Sequence, residues 1–268
     1  VPLMEGRKLR MRDPELVVDE IEYCLSRFPY LKEVMFETDT FTASRTHVSG
    51  ICETFLRRKL RITWSCNCRT DVDLSLLPLL KRAGCRMLMV GFEFGTQEAL
   101  DAVKKGTTLE HSVRLANEAR RLGFTVHGCF MFGAPGETRE SALETIAFAK
   151  SLPMDTVQFS GICAYPGSEI YQEATTKGFL IPNRWRGWVD ENWEQATVLS
   201  LPELSKEEID GLIDQGLKEF YLRPQQILQM ARAIRTVDDL RRKLYGFKMF
   251  IDGSSVRPNV RCQPKDFA

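Results

Sequence analysis

The sequence predicts an α/β fold, a parallel sheet wound by helices with a helical appendage after it, and three observations carry that reading. Apolar strand-like runs recur at 33–41, 61–69, 86–94, 124–132 and 156–163. Their starts lie about 25 to 38 residues apart, the size of a βα unit. The rhythm stops after Gly167, and helical patterning takes over from Ser205 to about Tyr245. A chain of 268 residues with 43% apolar and 27% charged residues can bury one large core, which excludes a disordered or collagen-like chain.

Taken in order, each element has a local cause. Asp13-Pro14 supplies an N-cap and a proline for the first helical turn, and Val17, Val18, Ile21, Cys24 and Leu25 share one face of the helix that follows. The first run ends in Glu37-Thr38-Asp39-Thr40-Phe41. In the second, Ile62, Trp64, Cys66 and Cys68 alternate with Thr63, Ser65, Asn67 and Arg69. In the third, Leu88, Val90, Phe92 and Phe94 alternate with Met87, Met89, Gly91 and Glu93. Period-two alternation places each polar set on the face turned away from the helices. Helical patterns cover 109–122 and 138–151, and segments close at Gly84, Gly123 and Pro153. Trp185, Trp188 and Trp193 fall in a Pro/Gly/Asn-containing stretch, and 253–268 reads as an extended tail.

Charge and cysteine usage narrow the function classes. Lys plus Arg is 37 and Asp plus Glu 36, so a net charge of +1 gives no field that would gather nucleic acid. No window approaches the roughly 18 apolar residues of a membrane span, and the first twelve residues hold no apolar signal core. The chain reads as cytoplasmic. Its eight cysteines are scattered through apolar runs rather than spaced as a disulfide frame, so reduced thiols are expected.

Ligands of wound α/β sheets sit at the carboxyl ends of the strands. Those ends bring Asp39, Arg69 and Glu93 together with the loop Gly133-Ala134-Pro135-Gly136-Glu137-Thr138. The group suits a zwitterionic, ribose-bearing ligand, with Asp39 for an ammonium, Arg69 for a carboxylate and Glu93 for hydroxyls. Spacing alone leaves other readings open. Glu93 and Arg69 could form an interior ion pair, and 133–138 could be a turn with Glu137 favoured near a helix N-terminus. Cys66-Asn67-Cys68 reads as core packing rather than ligation, since both thiols share the Trp64 face. His47, His111 and His127 have no metal-ligand spacing. The tryptophans suit either a substrate pocket or an anchor for the appendage. The basic stretches 6–12, 57–61 and 241–243 read as solvated faces.

Read in order, these strand ends resemble a known family. Gly6-Arg7-Lys8 through Pro14-Glu15 and Glu20-Ile21, the 36–41 segment, Arg69, Gly91-Phe92-Glu93-x-Gly95, the 133–138 loop and Tyr165-Pro166-Gly167-Ser168 resemble the radical S-adenosylmethionine superfamily, and within it the cobalamin-binding group. The resemblance implies a partial (β/α)6 TIM-like barrel lacking its first strand over 1–180, a C-terminal helical extension over 181–252 and an extended tail over 253–268. It implies a 4Fe-4S cluster held by CxxxCxxC that reduces S-adenosylmethionine to a 5′-deoxyadenosyl radical. Carried over residue by residue, Asp39 faces the methionine amino group, with Thr38 in place of the first acid of FxDDxF. Arg69 meets the carboxylate and Glu93 the ribose, while Gly91 and Gly95 permit close approach. Gly133, Pro135 and Tyr165 shape the adenine side.

The CxxxCxxC motif does not occur in this sequence, and Phe94 stands where a serine is usual. The chain is therefore expected to begin just after the cluster loop, with the cobalamin domain further upstream. Its function would be that of a fragment of a radical enzyme for C–H functionalisation such as methylation or rearrangement, inactive without the cluster loop. A reductant such as flavodoxin or ferredoxin and a small-molecule substrate are implied, hydrophobic from Trp185, Trp188, Met87 and Met89. The run 33–41 would be an exposed sheet edge with limited solubility. The competing reading is a cluster-free barrel that binds an adenosine-type ligand. An aldolase-like barrel fits less well, because the five runs carry no interior strand-end lysine.

Overall fold

The computed structural model describes residues 9–182, 184–190 and 195–234, with single positions up to residue 248. Trp193, Cys262 and the 253–268 tail lie outside the described residues. Two compact units divide the chain, residues 1–220 and 221–268.

The first unit opens with α1 (Pro14–Arg27), where the Asp13 carboxylate accepts the Glu15 N–H at 2.8 Å and the proline fills the first turn. Five strands follow: β1 (Glu33–Phe36), β2 (Thr63–Arg69), β3 (Cys85–Glu93), β4 (Thr125–Phe132) and β5 (Thr156–Gly161). They form one parallel sheet in the order β1-β2-β3-β4-β5. Between them run α2 (Arg45–Arg57), α3 (Leu77–Arg82), α4 (Gln97–Ala102), α5 (Leu109–Arg121) and α6 (Arg139–Ser151), and after β5 come α7 (Glu169–Lys177) and α8 (Lys206–Tyr221). A parallel pair cannot be joined by a tight turn, so every strand is followed by a helical crossover. The second unit holds α9 (Pro224–Arg232), which starts on its proline.

One face of the sheet is core. Trp64, Cys66, Cys68, Leu88, Val90, Phe92, Val126, Phe130, Phe132, Val157 and Phe159 are buried on it, and the Trp64 indole N–H donates to the Ala83 carbonyl at 2.8 Å. Cys66 and Cys68 pack there, with burial pushing the Cys68 thiol up and a hydrogen bond to Cys85 doing the same for Cys66. Helix α8 comes so close to β5 that a Cβ on Gly216 would lie 3.0 Å from the Phe159 ring. The other face carries Asn67, Arg69, Met87, Met89, Gly91, Glu93, His127, Cys129 and Met131, all only partly buried.

The first run is shorter than its sequence suggests. Pairing stops at Phe36↔Cys66, the Thr38 N–H turns back to the Phe36 carbonyl at 3.1 Å, and Phe41 folds onto the core face, its ring 4.4 Å from Phe36 and 5.5 Å from Trp64. Phe41 is worth burying and the polar residues 37–40 are not, so the chain leaves the sheet between them. Asp39 therefore sits on an exposed turn, where strand alternation no longer decides its direction.

Candidate ligand-binding site

The site is built at the carboxyl end of β3. The pairing of β3 with β4 slips between Gly91 and Glu93, so that Glu93 meets Phe130. Glu93 has φ +68°, a left-handed conformation that costs a non-glycine residue about 1 kcal/mol. The bulge re-aims the carboxylate back over its own strand. A Cβ on Gly91 would lie 2.5 Å from Glu93 Oε1, so a side chain there would displace the carboxylate from this position.

A lysine from a loop completes the arrangement. Lys105 Nζ donates to Glu93 Oε1, and the two side chains are only 19% and 13% exposed. The Lys105 carbonyl accepts from Arg69 Nη2 at 3.0 Å. Arg69 also grips Asp71 through Nε and Nη2, both at 2.9 Å. That paired geometry holds the Asp71 carboxyl below its ordinary range and the Arg69 guanidinium above its own. Cys129 lies beside Gly91 in register, and burial, then the Glu93 charge, pushes its thiol up to about 11.

The structure thus replaces the Glu93–Arg69 ion pair allowed by the sequence with two pairs, Glu93–Lys105 and Arg69–Asp71. Lys105 escaped sequence reasoning because it stands on no strand; its one local signal is the following Gly106 at φ +70°, which marks a turn. Thr38 enters through its backbone, its carbonyl accepting from Asn67 Nδ2 at 2.6 Å.

Gly95 answers to a helix. A Cβ there would lie 2.5 Å from Thr145 Cα and 2.9 Å from the Glu144 carbonyl, and its N–H donates to Thr145 Oγ1 at 2.9 Å. The 133–137 loop is closed by its own acid. Glu137, 3% exposed, accepts from the N–H of Gly133 at 2.5 Å and of Ala134 at 3.0 Å, while its Oε1 is buried without a partner. Burial raises its pKa to about 7 against the pull of the two N–H donors. Those donors are consumed inside the loop and are not presented to a phosphate. Pro135 is exposed at its tip, and Tyr165 is exposed beyond the carboxyl end of β5.

No group of three or more His, Cys, Asp or Glu side chains able to hold a metal occurs among the described residues, and the described cysteines are all free. The described residues do not fit an iron–sulfur cluster. No helix among the described residues is long and apolar enough to cross a membrane.

Comparison with known proteins extends these findings. The sequence profile of the radical SAM superfamily matches residues 4–149. An uncharacterised methyltransferase of Pyrococcus horikoshii is 28% identical over 85% of this chain and 49% of its own length. The anaerobic magnesium-protoporphyrin IX monomethyl ester cyclase of Rubrivivax gelatinosus is 32% identical over 64% of this chain and 31% of its own. Among solved structures, the radical S-adenosylmethionine methyltransferase TsrM from Kitasatospora setae, with cobalamin and a [4Fe-4S] cluster bound, superposes with a TM-score of 0.63. It is 21% identical and aligns over 82% of this chain and 47% of that one. The sheet and its helices are therefore those of a partial TIM-like barrel. The chain spans about half the length, or less, of the curated relatives it matches.

Proposed function

Because the chain belongs to the radical SAM superfamily, we propose that it is the S-adenosylmethionine-binding body of an enzyme that functionalises a C–H bond, with methylation its specific reaction. The observation that carries the reading is the Glu93 carboxylate, held over Gly91 by a bulge and left-handed backbone and neutralised by a largely buried lysine. A strained, pre-set acid at a strand end is what a ribose diol needs as an acceptor.

In this reading Glu93 accepts from the ribose hydroxyls and Lys105 keeps its carboxylate in place. Arg69, held flat by Asp71 and the Lys105 carbonyl, offers its remaining Nη1 to the methionine carboxylate. Asp39 on its turn, with Thr38 beside it, takes the ammonium. Gly133, Pro135 and Tyr165 border the adenine, and Gly95 fixes the strand end against α6. When bound, S-adenosylmethionine supplies hydrogen-abstracting radical chemistry; the chain's own part is to bind and orient it. An iron–sulfur cluster and cobalamin complete the proposal.

A one-electron donor such as flavodoxin or ferredoxin and a cytoplasmic setting accompany it, in keeping with the free thiols. The matched relatives are methyltransferases and a cyclase, so no specific observation favours a cluster-free binding barrel. The test is calorimetric titration of the chain with S-adenosylmethionine. Glu93→Gln, which keeps the shape, is expected to weaken binding by about 1–3 kcal/mol. An unchanged affinity would remove Glu93 from the site.

A further inference from the structure

Apart from Tyr165, the aromatic side chains between β5 and α8 have no part in the reading above. Trp188 is their centre, its ring 6.4 Å from Tyr165 at an interplanar angle of 21°, 6.3 Å from Tyr171 and 5.8 Å from Trp185. Beneath it lies a buried cluster that includes Phe94, Ala134 and Ile162, each just past the carboxyl end of a strand. The outer members are not buried. Tyr165 is 55% exposed and Trp185 71% exposed.

These rings are held in place. Trp185–Trp188 is a single 3-10 turn, and a Cβ on Gly187 would lie 2.9 Å from the Pro182 Cβ, so only glycine lets the turn pass so close. Arg186 Nη1 donates to the carbonyls of Val189 at 3.0 Å and Asp190 at 2.9 Å, which pins the turn from its other side. Held in place and open to water, the two outer rings lose the burial that normally favours aromatic side chains. An arrangement of this kind marks a contact surface.

Its position says what it contacts. Lys104 Nζ donates to Glu169, the first residue of α7, whose N-cap Ser168 closes a turn on the Tyr165 carbonyl at 2.6 Å. The next residue along, Lys105, holds Glu93. The aromatic surface and the Glu93 site are thus neighbours at one end of the sheet. Lys104 and Arg186, the cations that tie it down, are already committed, which leaves shape and ring contact to do the recognition.

We propose that Trp188 and Trp185, beside the Tyr165 that borders the adenine, form a stacking surface for the substrate, and that the substrate presents a flat, conjugated ring there. The proposal rests on the reading that reaction occurs beside Glu93. Offset stacking adds to burial for a flat π system and not for an aliphatic chain of the same area, so the surface selects by shape as well as by apolarity.

The probe is 1-pyrenebutyrate, titrated into the full chain and followed by its fluorescence anisotropy, with decanoate as a flexible apolar competitor. Saturable binding is expected, at least tenfold weaker in Trp185→Ala, retained in Trp185→Phe, and not displaced by decanoate. Trp185 is exposed enough for either change to leave the fold intact. Unchanged binding in Trp185→Ala overturns the proposal, as does displacement by decanoate, which would make the surface merely greasy. It is equally overturned if Trp185→Ala converts a dimer to a monomer in light scattering, since a second copy then covers the rings. S-adenosylmethionine titrations on the same samples separate the two readings. Lost ring selectivity with an intact Glu93→Gln effect sinks the stacking surface alone. Ring binding with no Glu93→Gln effect overturns its assignment to a substrate.

Discussion

Lys105 shows how a single side chain alters the meaning of its neighbours. Strand alternation brought Glu93 and Arg69 to one face of the sheet, and the nearest cation in sequence logic was the arginine. The lysine that pairs with Glu93 comes from a loop 12 residues on, where no periodicity announces a direction. Breaking a buried pair by removing one partner costs roughly 3–5 kcal/mol, because the remaining charge is left without compensation. Lys105→Met is therefore expected to lose about 3 kcal/mol in denaturant unfolding, and Lys105→Met with Glu93→Gln to lose less than the sum of the two. Strict additivity would show that the pair is not coupled. Glu137 offers a second case at this scale. With an unfolded pKa of 4.5 and a folded value of about 7, it binds its proton more tightly when folded. Its contribution is fully present below pH 4.5 and is lost as pH rises through 7, by up to about 3 kcal/mol. Unfolding free energies at pH 5 and pH 8 check this, since Glu137→Gln should show a smaller fall over that interval than the parent chain. Parallel profiles would place the proton elsewhere.

Elements add constraints that residues do not reveal singly. Gly91-x-Glu93-x-Gly95 reads in sequence as two glycines with one purpose, close approach of a ligand. The structure gives them different causes, Gly91 making room for the Glu93 carboxylate and Gly95 for the backbone of α6. Nothing local separates the two, because the obstacle at Gly95 comes from residues about 50 positions away. Gly95→Ala would set a methyl group 2.5 Å from Thr145 Cα. A backbone atom cannot rotate aside, so α6 must shift, at an expected cost of about 1–3 kcal/mol. A thermal melt unchanged by this substitution would mean that α6 does not pack there. The early end of β1 has a similar origin. Its apolar run looked continuous through Phe41, but Phe41 gains more by folding against Phe36 and Trp64 than by extending the strand.

At the scale of the whole sheet, β1 is an edge strand among the described residues, and Met35 upon it is 37% exposed. Edges of this kind template association, and a lysine on the edge opposes it. Met35→Lys is expected to raise the concentration at which light scattering from the chain appears, with little change in melting temperature; an unchanged onset would place association at another surface. Helical crossovers, the apolar faces of β2 and β3 and the packing of Cys66 and Cys68 were all legible in the residues, because alternation, caps and turn residues act over a few positions of chain. The partner of Glu93, the closure of the 133–137 loop by Glu137, the second cause for glycine at Gly95 and the tilted contact of Trp185 with Trp188 were not. Each depends on where a bulge, a loop or a neighbouring helix comes to rest once the sheet has formed, and distances of that kind are settled by packing rather than by spacing along the chain.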